Sequence, residues 1–168
     1  SILSLVFTIL LILNNSDPSI VFNGSYIIDN LSVFMKILTL ISSIFILIIS
    51  ADYLKVIKLN KPEYIILLLT SVLGMMIMIS SYDLIIFYMG LELQSLSLYV
   101  LAAFNRDNKK STEAGLKYFV LSALSSGLLL YGCSLLYGYT GSTNFEVIAS
   151  NLNENSITSI FAIVFIIV

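Results

Sequence analysis

The sequence predicts an all-α integral membrane protein, a helical bundle of about six transmembrane segments. Apolar residues make up 58% of the 168 residues and charged residues only 11%, and the mean hydropathy is +1.01. A soluble bundle of this size could not cover its surface with so few charges. The apolar residues also come in long unbroken runs, without the polar stripe of a soluble amphipathic helix. We therefore expect lipid to be the solvent for most of the outer surface.

Six hydrophobic segments account for this composition, and polar or helix-breaking residues separate them. They cover residues 1–13, 31–51, 63–80, 83–104, 112–138 and 157–168 of a single predicted transmembrane domain, 1–168. Pro62 lies near the first helical position of the third segment, and Ser111 or Thr112 is predicted to cap the fifth. The first segment would span about 20 Å of a hydrocarbon core of about 30 Å. We therefore expect a chain that is split or truncated at both ends.

The charged residues between the segments sort by side of the membrane. The loops of one side carry all the loop cations: Lys55, Lys58, Lys61, Arg106, Lys109 and Lys110. The loops of the other side carry acidic residues and no Lys or Arg: Asp17, Asp29, Asp83, Glu146 and Glu154. Because basic loops stay on the side of synthesis, this pattern predicts that they face the cytoplasm or the mitochondrial matrix.

Several kinds of chemistry are excluded by what the chain lacks. It has no histidine and one cysteine, Cys133, whereas haem, iron–sulfur, zinc and copper centres need Cys or His ligands. No glycine-rich phosphate loop of the Walker type is present, and no intrachain disulfide is possible. We therefore expect no cofactor in this chain, no nucleic-acid partner, and electron transfer, if any, in other chains. Cys133 lies in an apolar stretch and is interpreted as packing.

Glu92 is the candidate functional residue that position alone selects. It lies about nine residues into the fourth segment, roughly 14 Å from its start and close to the membrane midplane. A charge there costs a few kcal/mol, so the carboxyl must be protonated, paired or hydrated, and each state suits a proton-binding group. Tyr88, Ser95 and Tyr99 share its helical face and could hold an ordered water chain. The alternative is a structural glutamate that joins helices.

The cations within the segments are harder to interpret. Lys117 lies about five residues into the fifth segment, near enough to its end for the long side chain to reach the basic side. Glu113 precedes it by four residues, the favourable order for a helical ion pair, so the pair could equally be a surface feature. Lys36 is interpreted in the same way, as a residue that reaches the opposite interface.

The fifth segment also carries many small residues, among them Gly115, Ser122, Ser126 and Gly132. Small residues let helices approach closely in lipid, where association depends on packing and hydrogen bonds. Close packing is the first interpretation, and the lining of a hydrated path is the second.

Two stretches resemble a known family. Residues 90–99, GLELQSLSLY, resemble the glutamate-bearing helix of the antiporter-like membrane subunits of respiratory complex I, the NADH:ubiquinone oxidoreductase. Residues 111–145, which begin STEAGLKYFVLSALSSG, resemble the subunit 2 branch in particular. The match over 22–38 is looser, with Asp29 ahead of a helix.

The resemblance implies the N-terminal part of a subunit in the membrane arm of a proton-pumping complex. The family's glutamate falls on Glu92, and the lysine of its next helix falls on Lys117. The central lysine of a later helix, the expected partner of Glu92, would lie beyond Val168, so this chain is expected to hold only part of a proton path.

The resemblance also implies partners and a location. The expected partners are other complex I subunits, neighbouring antiporter-like subunits, a chain with the missing C-terminal half, and membrane lipids. FMN, iron–sulfur clusters and ubiquinone would belong to partner subunits. The wealth of Ile, Asn, Ser and Tyr is typical of AT-rich organellar genomes, which favours a mitochondrial inner membrane with basic loops in the matrix, and a bacterial plasma membrane is the alternative.

Two other functions stay open at this point. A cation/proton exchanger subunit would share the same ancestral fold. A purely structural member of the membrane arm would need no titration of Glu92 at all.

Overall fold

In the computed structural model, helices make up most of the described chain, which comprises residues 1–14, 18–56, 59, 61–152 and 157–167. The helices are α1 (Ile2–Asn14), α2 (Asn30–Val56), α3 (Pro62–Ile79), α4 (Leu84–Ala102), α5 (Lys109–Thr140), α6 (Phe145–Asn151) and α7 (Ile157–Ile167). Helices α2, α3, α4 and α5 are each long and apolar enough to cross a membrane, and α1 and α7 are shorter apolar helices. The predicted helical membrane bundle is confirmed.

The helices pack as sequential neighbours. Helix α1 lies on α2, α2 on α3, α3 on α4 and α4 on α5, while α7 returns to α5. Buried leucine and valine side chains join the first three helices: Leu5, Leu40, Leu47, Leu68 and Val72. At the other end of the series, the buried Cys133 of α5 packs with Leu84 and with Ala162 of α7, as its apolar surroundings predict.

Helices α3 and α4 approach each other closely at a pair of glycines. A Cβ added at Gly74 would lie 2.6 Å from the backbone nitrogen of Gln94 and 2.7 Å from the carbonyl oxygen of Gly90. One turn away, the Ser97 hydroxyl donates to Thr70 Oγ1 at 3.1 Å. Small residues and an interhelical hydrogen bond are the two devices that hold helices together in lipid, so α4 has a firm support on its α3 side.

The loops with acidic residues meet at one end of the bundle. The Tyr82 N–H donates to the Ser25 carbonyl at 2.9 Å, and the Asn144 amide donates to the Gly24 carbonyl at 3.1 Å. These bonds join the connections α1–α2, α3–α4 and α5–α6. The predicted grouping of Asp29, Asp83 and Glu146 on one side is therefore present in the fold. Asp17 and Glu154, which belong to the same prediction, lie outside the described residues.

The loops with basic residues meet at the opposite end. The Tyr64 and Phe104 rings pack edge to face with centroids 5.7 Å apart, which joins the start of α3 to the end of α4. The Ser111 hydroxyl donates to the Ala102 carbonyl at 2.8 Å and closes the turn into α5. Of the predicted basic set, Lys58 lies outside the described residues.

Two predicted loops contain structure of their own. A two-stranded antiparallel sheet, β1 (Ser19–Val21) with β2 (Tyr26–Ile28), lies within the loop predicted between the first two helices. Strands of three residues are too short to show an alternating pattern. The turn between them places Phe22 and Asn23 at φ +55°, which such residues seldom adopt. The predicted 139–156 loop likewise contains α6.

The ends of the helices also differ from the sequence prediction. Helix α5 begins three residues before the predicted position, and its cap is Asn108, whose side chain accepts from the Lys110 N–H at 3.0 Å. The expected caps were wrong because Ser111 and Thr112 lie inside the first turn and donate their hydroxyls to earlier carbonyls. Pro62 does lie at the start of α3, as predicted.

Candidate functional site

Glu92 lies on the side of α4 that faces α5. It follows the first residue of α4 by eight positions, about 12 Å along the axis. Tyr99, seven residues later and so on the same face, packs edge to face on the α5 rings of Tyr118 and Phe119, with centroids 4.7 and 5.8 Å away. The opposite face of α4, with Gly90 and Ser97, is occupied by α3.

The Glu92 carboxyl is only partly satisfied. Its Oε1 is buried, and within the described part of the chain it has no hydrogen-bond partner. The Tyr88 hydroxyl, one turn earlier, interacts electrostatically with this carboxyl and with the Ser126 hydroxyl of α5. Because a buried acceptor without a donor is costly, this oxygen requires a proton, a water or a group from another chain segment.

The three hydroxyl residues predicted on the Glu92 face, Tyr88, Ser95 and Tyr99, make different contacts in the structure. Ser95 donates its hydroxyl to the Leu91 carbonyl of its own helix at 2.6 Å, so its proton is already used and its oxygen is left to accept. Tyr99 is buried in the aromatic cluster with Tyr118 and Phe119. Of the three predicted hydroxyls, Tyr88 is the one that the structure brings to Glu92.

Lys117 and Glu113 form the predicted ion pair on α5, with Lys117 Nζ 2.6 Å from Glu113 Oε1. Their side chains are 68% and 62% exposed, so the pair lies on the outer surface of the described bundle. Tyr118, the neighbour of Lys117, contacts Tyr99, which follows Glu92 by about seven residues on α4. Lys117 is therefore about 10 Å from Glu92 along the helix axis. The described chain does not bring the lysine to the glutamate.

Lys36, interpreted from the sequence as a residue that reaches the interface, lies near the acidic end of α2 and is 5% exposed. Its ammonium donates to the Tyr26 hydroxyl at 3.0 Å and lies 4.9 Å from the centre of that ring. A lone lysine in an apolar helix, with Tyr26 and Asp29 shortly before it, was the available signal. The strand that carries Tyr26 was not foreseen.

Metal ligation has no basis among the described residues, in which no three His, Cys, Asp or Glu side chains come together. The candidate site thus consists of a carboxyl with one buried oxygen on α4 and an exposed ion pair on α5.

The comparison with protein families decides the class. Residues 81–168, more than half of the chain and including Glu92, Glu113 and Lys117, match the model of the NADH:quinone oxidoreductase/Mrp antiporter transmembrane region. The chain belongs to the NADH:quinone oxidoreductase/Mrp antiporter family. The expected resemblance to the antiporter-like subunits of respiratory complex I is thereby confirmed.

Individual relatives in this family carry names from complex I. The chain is 62% identical over 167 residues to the NADH-quinone oxidoreductase subunit N of Pelagibacter ubique, covering 98% of this chain and 36% of that protein. It is 55% identical over 162 residues to the subunit N of Bartonella bacilliformis, covering 95% and 33%. The chain thus spans about a third of the length of the curated relatives that it matches.

Solved structures in the comparison share the fold. A chain of respiratory complex I from Thermus thermophilus, solved with bound aureothin, matches with a TM-score of 0.78 at 28% identity, over 99% of this chain and 35% of that one. A chain of the membrane-bound sulfane sulfur reductase, an archaeal respiratory membrane complex, matches with a TM-score of 0.78 at 24% identity, over 99% and 35%. This second likeness concerns the fold alone.

Proposed function

We propose that this chain forms the N-terminal part of a membrane-arm subunit of a proton-translocating NADH–quinone oxidoreductase, in which Glu92 binds and releases a proton. The names of the relatives support the assignment to this complex. The observation that carries the role of Glu92 is its buried, unpartnered Oε1 on the α5-facing side of α4. A structural glutamate would be expected to have both oxygens satisfied within the bundle.

The step assigned to Glu92 is local. A proton binds to the free oxygen when no cation is near and leaves when a positive charge approaches, because the approach favours the ionised carboxyl. Tyr88 orients the carboxyl, and the Ser126 hydroxyl across the gap offers a place for water between α4 and α5. The approaching charge is expected from the part of the subunit that lies outside this chain.

Lys117 is assigned a separate role, on the exposed outer face of α5. Its pairing with Glu113 on the outer face of α5 is suited to an exchange of partners with a neighbouring chain. Exchange between the Glu113 carboxyl and a neighbour's acid would move positive charge towards or away from Glu92 without any covalent step.

The redox chemistry is assigned to partner subunits, which would hold FMN, iron–sulfur clusters and ubiquinone. The membrane is assigned as a bacterial plasma membrane, since the relatives named above are bacterial proteins, with the basic loops in the cytoplasm. A mitochondrial inner membrane, with those loops in the matrix, stays the alternative.

The test is the substitution Glu92→Gln in the assembled complex. Glutamine keeps the shape of the side chain but holds no exchangeable charge, so the complex should assemble normally and pump fewer protons per electron. Gln94→Glu, two residues away on the α3-facing side, is the matched control for a change of charge in the same helix. An unchanged proton-to-electron ratio in vesicles containing the Glu92→Gln complex would refute the proposal.

A cation/proton exchanger is the second candidate, and the family description itself favours it, because it joins quinone oxidoreductases with Mrp antiporters. Purification of the protein with its natural partners separates the two. Partners that contain flavin and iron–sulfur clusters identify the respiratory complex, whereas sodium-dependent proton uptake without them identifies the exchanger. A purely structural role predicts no infrared carboxyl signal from Glu92 between pH 4 and 9.

A further inference from the structure

A groove of about 990 Å³ opens at the basic end of the bundle, between α3, α4 and α5. Tyr99 contributes to its lining, whereas Glu92 and Tyr88 do not. Its mouth carries two cations, Lys61 and Arg106, and one carboxylate, Glu63. The groove therefore has a positive rim.

The interior of the groove is apolar. Its walls include Ile66 of α3, Val100 of α4 and Leu116 of α5, which are 61%, 52% and 64% exposed. These side chains belong to helices that cross the membrane, so the groove continues from the polar interface into the hydrocarbon region. A small soluble anion would satisfy the rim and leave these walls uncovered.

The two cations are held on different elements that are fixed to each other. Lys61 is the N-cap residue of α3, and Arg106 lies in the connection between α4 and α5. The Tyr64–Phe104 ring contact, 5.7 Å between centroids, joins these two elements beside the groove. A planar guanidinium and an ammonium on one rim form an arrangement that binds phosphate oxygens well.

We propose that this groove binds an anionic phospholipid, with its phosphate between Lys61 and Arg106 and an acyl chain along the α3–α5 walls. Charge complementarity carries the choice, because basic pockets between transmembrane helices on the cytoplasmic or matrix side select anionic headgroups. Glu63 on the rim disfavours a second negative charge near α3, which places the phosphate towards Arg106. The proposal is independent of the proton path at Glu92.

The experiment uses the assembled complex in nanodiscs of phosphatidylcholine that contain a few per cent of phosphatidylglycerol with a photoreactive acyl chain. After irradiation, mass spectrometry should find the label on Ile66, Val100 or Leu116, at least fivefold above the level given by photoreactive phosphatidylcholine. The double variant Lys61→Gln/Arg106→Gln should lose this preference. Lys109→Gln/Lys110→Gln removes the same charge from the same side but spares the groove, and it should keep the preference.

Each contrary result has a definite meaning. Equal labelling by the two lipids, or equal loss in both double variants, would show only a general surface field and would overturn the proposal. Absence of label from the three wall residues would show that another protein segment fills the groove, and this too would overturn it. Inorganic phosphate at 10 mM should leave the labelling unchanged, and competition by it would mean a phosphate site with no lipid.

Discussion

Among the described residues of the transmembrane helices, Lys36 and Glu92 are the Lys, Arg, Asp or Glu side chains in buried or half-buried positions, and they meet the cost of burial in different ways. The Lys36 ammonium finds a hydroxyl and a ring face in Tyr26. Glu92 keeps one buried oxygen that nothing in the described chain satisfies. Unsatisfied buried polar atoms are rare in native proteins, and each requires an explanation such as a water, a strained geometry or a functional role. Lys36 is therefore satisfied within the described chain, whereas one oxygen of Glu92 is not, and this contrast supports the proposed role of Glu92.

Asp29 offers a residue-level test by pH. Its pKa is lowered below the ordinary value of 3.8, first by the hydrogen bond from the Ser32 N–H and then by the Ser32 hydroxyl. A lowered pKa means that the ionised form stabilises the fold above about pH 4, and that this stabilisation is lost as the pH falls through the folded-state pKa. Asp29→Asn should therefore flatten the dependence of the unfolding temperature on pH below 4.

Thermal unfolding in detergent between pH 6 and pH 3 is the measurement for this prediction. Asp107→Asn, in the exposed α4–α5 connection, is the control and should keep the wild-type slope. Identical slopes for wild type and Asp29→Asn would contradict the assigned role of this cap.

At the scale of elements, the glycine contact between α3 and α4 sets how these two helices pack. The backbone of Gly74 lies against Gly90 and Gln94 with no room for a methyl group. By contrast, Gly127 on α5 has open space around its Cβ position. The same substitution should therefore have opposite effects on the two helices.

Gly74→Ala should destabilise the bundle by about 1–3 kcal/mol, because the added methyl overlaps backbone atoms that cannot rotate away. Gly127→Ala is the matched control and should be neutral or stabilising by up to about 1 kcal/mol, because alanine is the better helix former. Equilibrium unfolding in mixed micelles measures both. A Gly74→Ala protein as stable as Gly127→Ala would mean that the helices separate easily.

Most helices could be predicted from the sequence, and their ends could not. Long apolar runs bounded by charged loops leave few alternatives to membrane helices. The start of α5 was missed because Asn108, Ser111 and Thr112 all favour a cap, and only the fold decides which side chain faces the free N–H groups. The strands near Tyr26 were missed because each has three residues, too few to show an alternating pattern.

For the candidate site, the central residue could be predicted from the sequence, but its neighbours could not. Glu92 could be selected because an isolated carboxyl at mid-membrane is costly wherever it points. Its neighbours depend on how α4 and α5 are rotated against each other, which the sequence does not contain. Helical spacing therefore placed Ser95 beside Glu92, whereas packing directs the Ser95 hydroxyl to its own backbone.

At the scale of the whole molecule, the loops that carry acidic residues form one connected layer over the ends of the helices. Asp83 is at its centre, since it caps α4 by accepting from the Ile85 N–H at 2.8 Å and also accepts from the Thr143 hydroxyl. This residue is 8% exposed and thereby joins the start of α4 to the connection after α5. The layer fixes the ends of the two helices between which Glu92 lies.

Asp83→Ala should cost about 2 kcal/mol of unfolding free energy, because it removes a helix cap and leaves the partly buried Thr143 hydroxyl without its acceptor. In a double-mutant cycle with Thr143→Val, the two effects should couple by about 1 kcal/mol. Chemical unfolding of the four proteins in micelles measures the coupling. Strict additivity would show that the layer is a set of separate loops.

The glycine contact of α3 with α4 has a mechanical consequence. Helices whose backbones touch cannot slide past each other without first moving apart, so we expect α3 and α4 to move as one rigid pair. Glu92 lies on this pair and faces α5, which is itself in close contact with its neighbours, since a Cβ at Gly115 would lie 2.5 Å from Ala103 Cβ and one at Gly132 would lie 2.9 Å from the Ala162 carbonyl oxygen. On the proposed function, the charge that reaches Glu92 would therefore have to arrive with water or with an incoming side chain, because sliding of α3 against α4 is blocked.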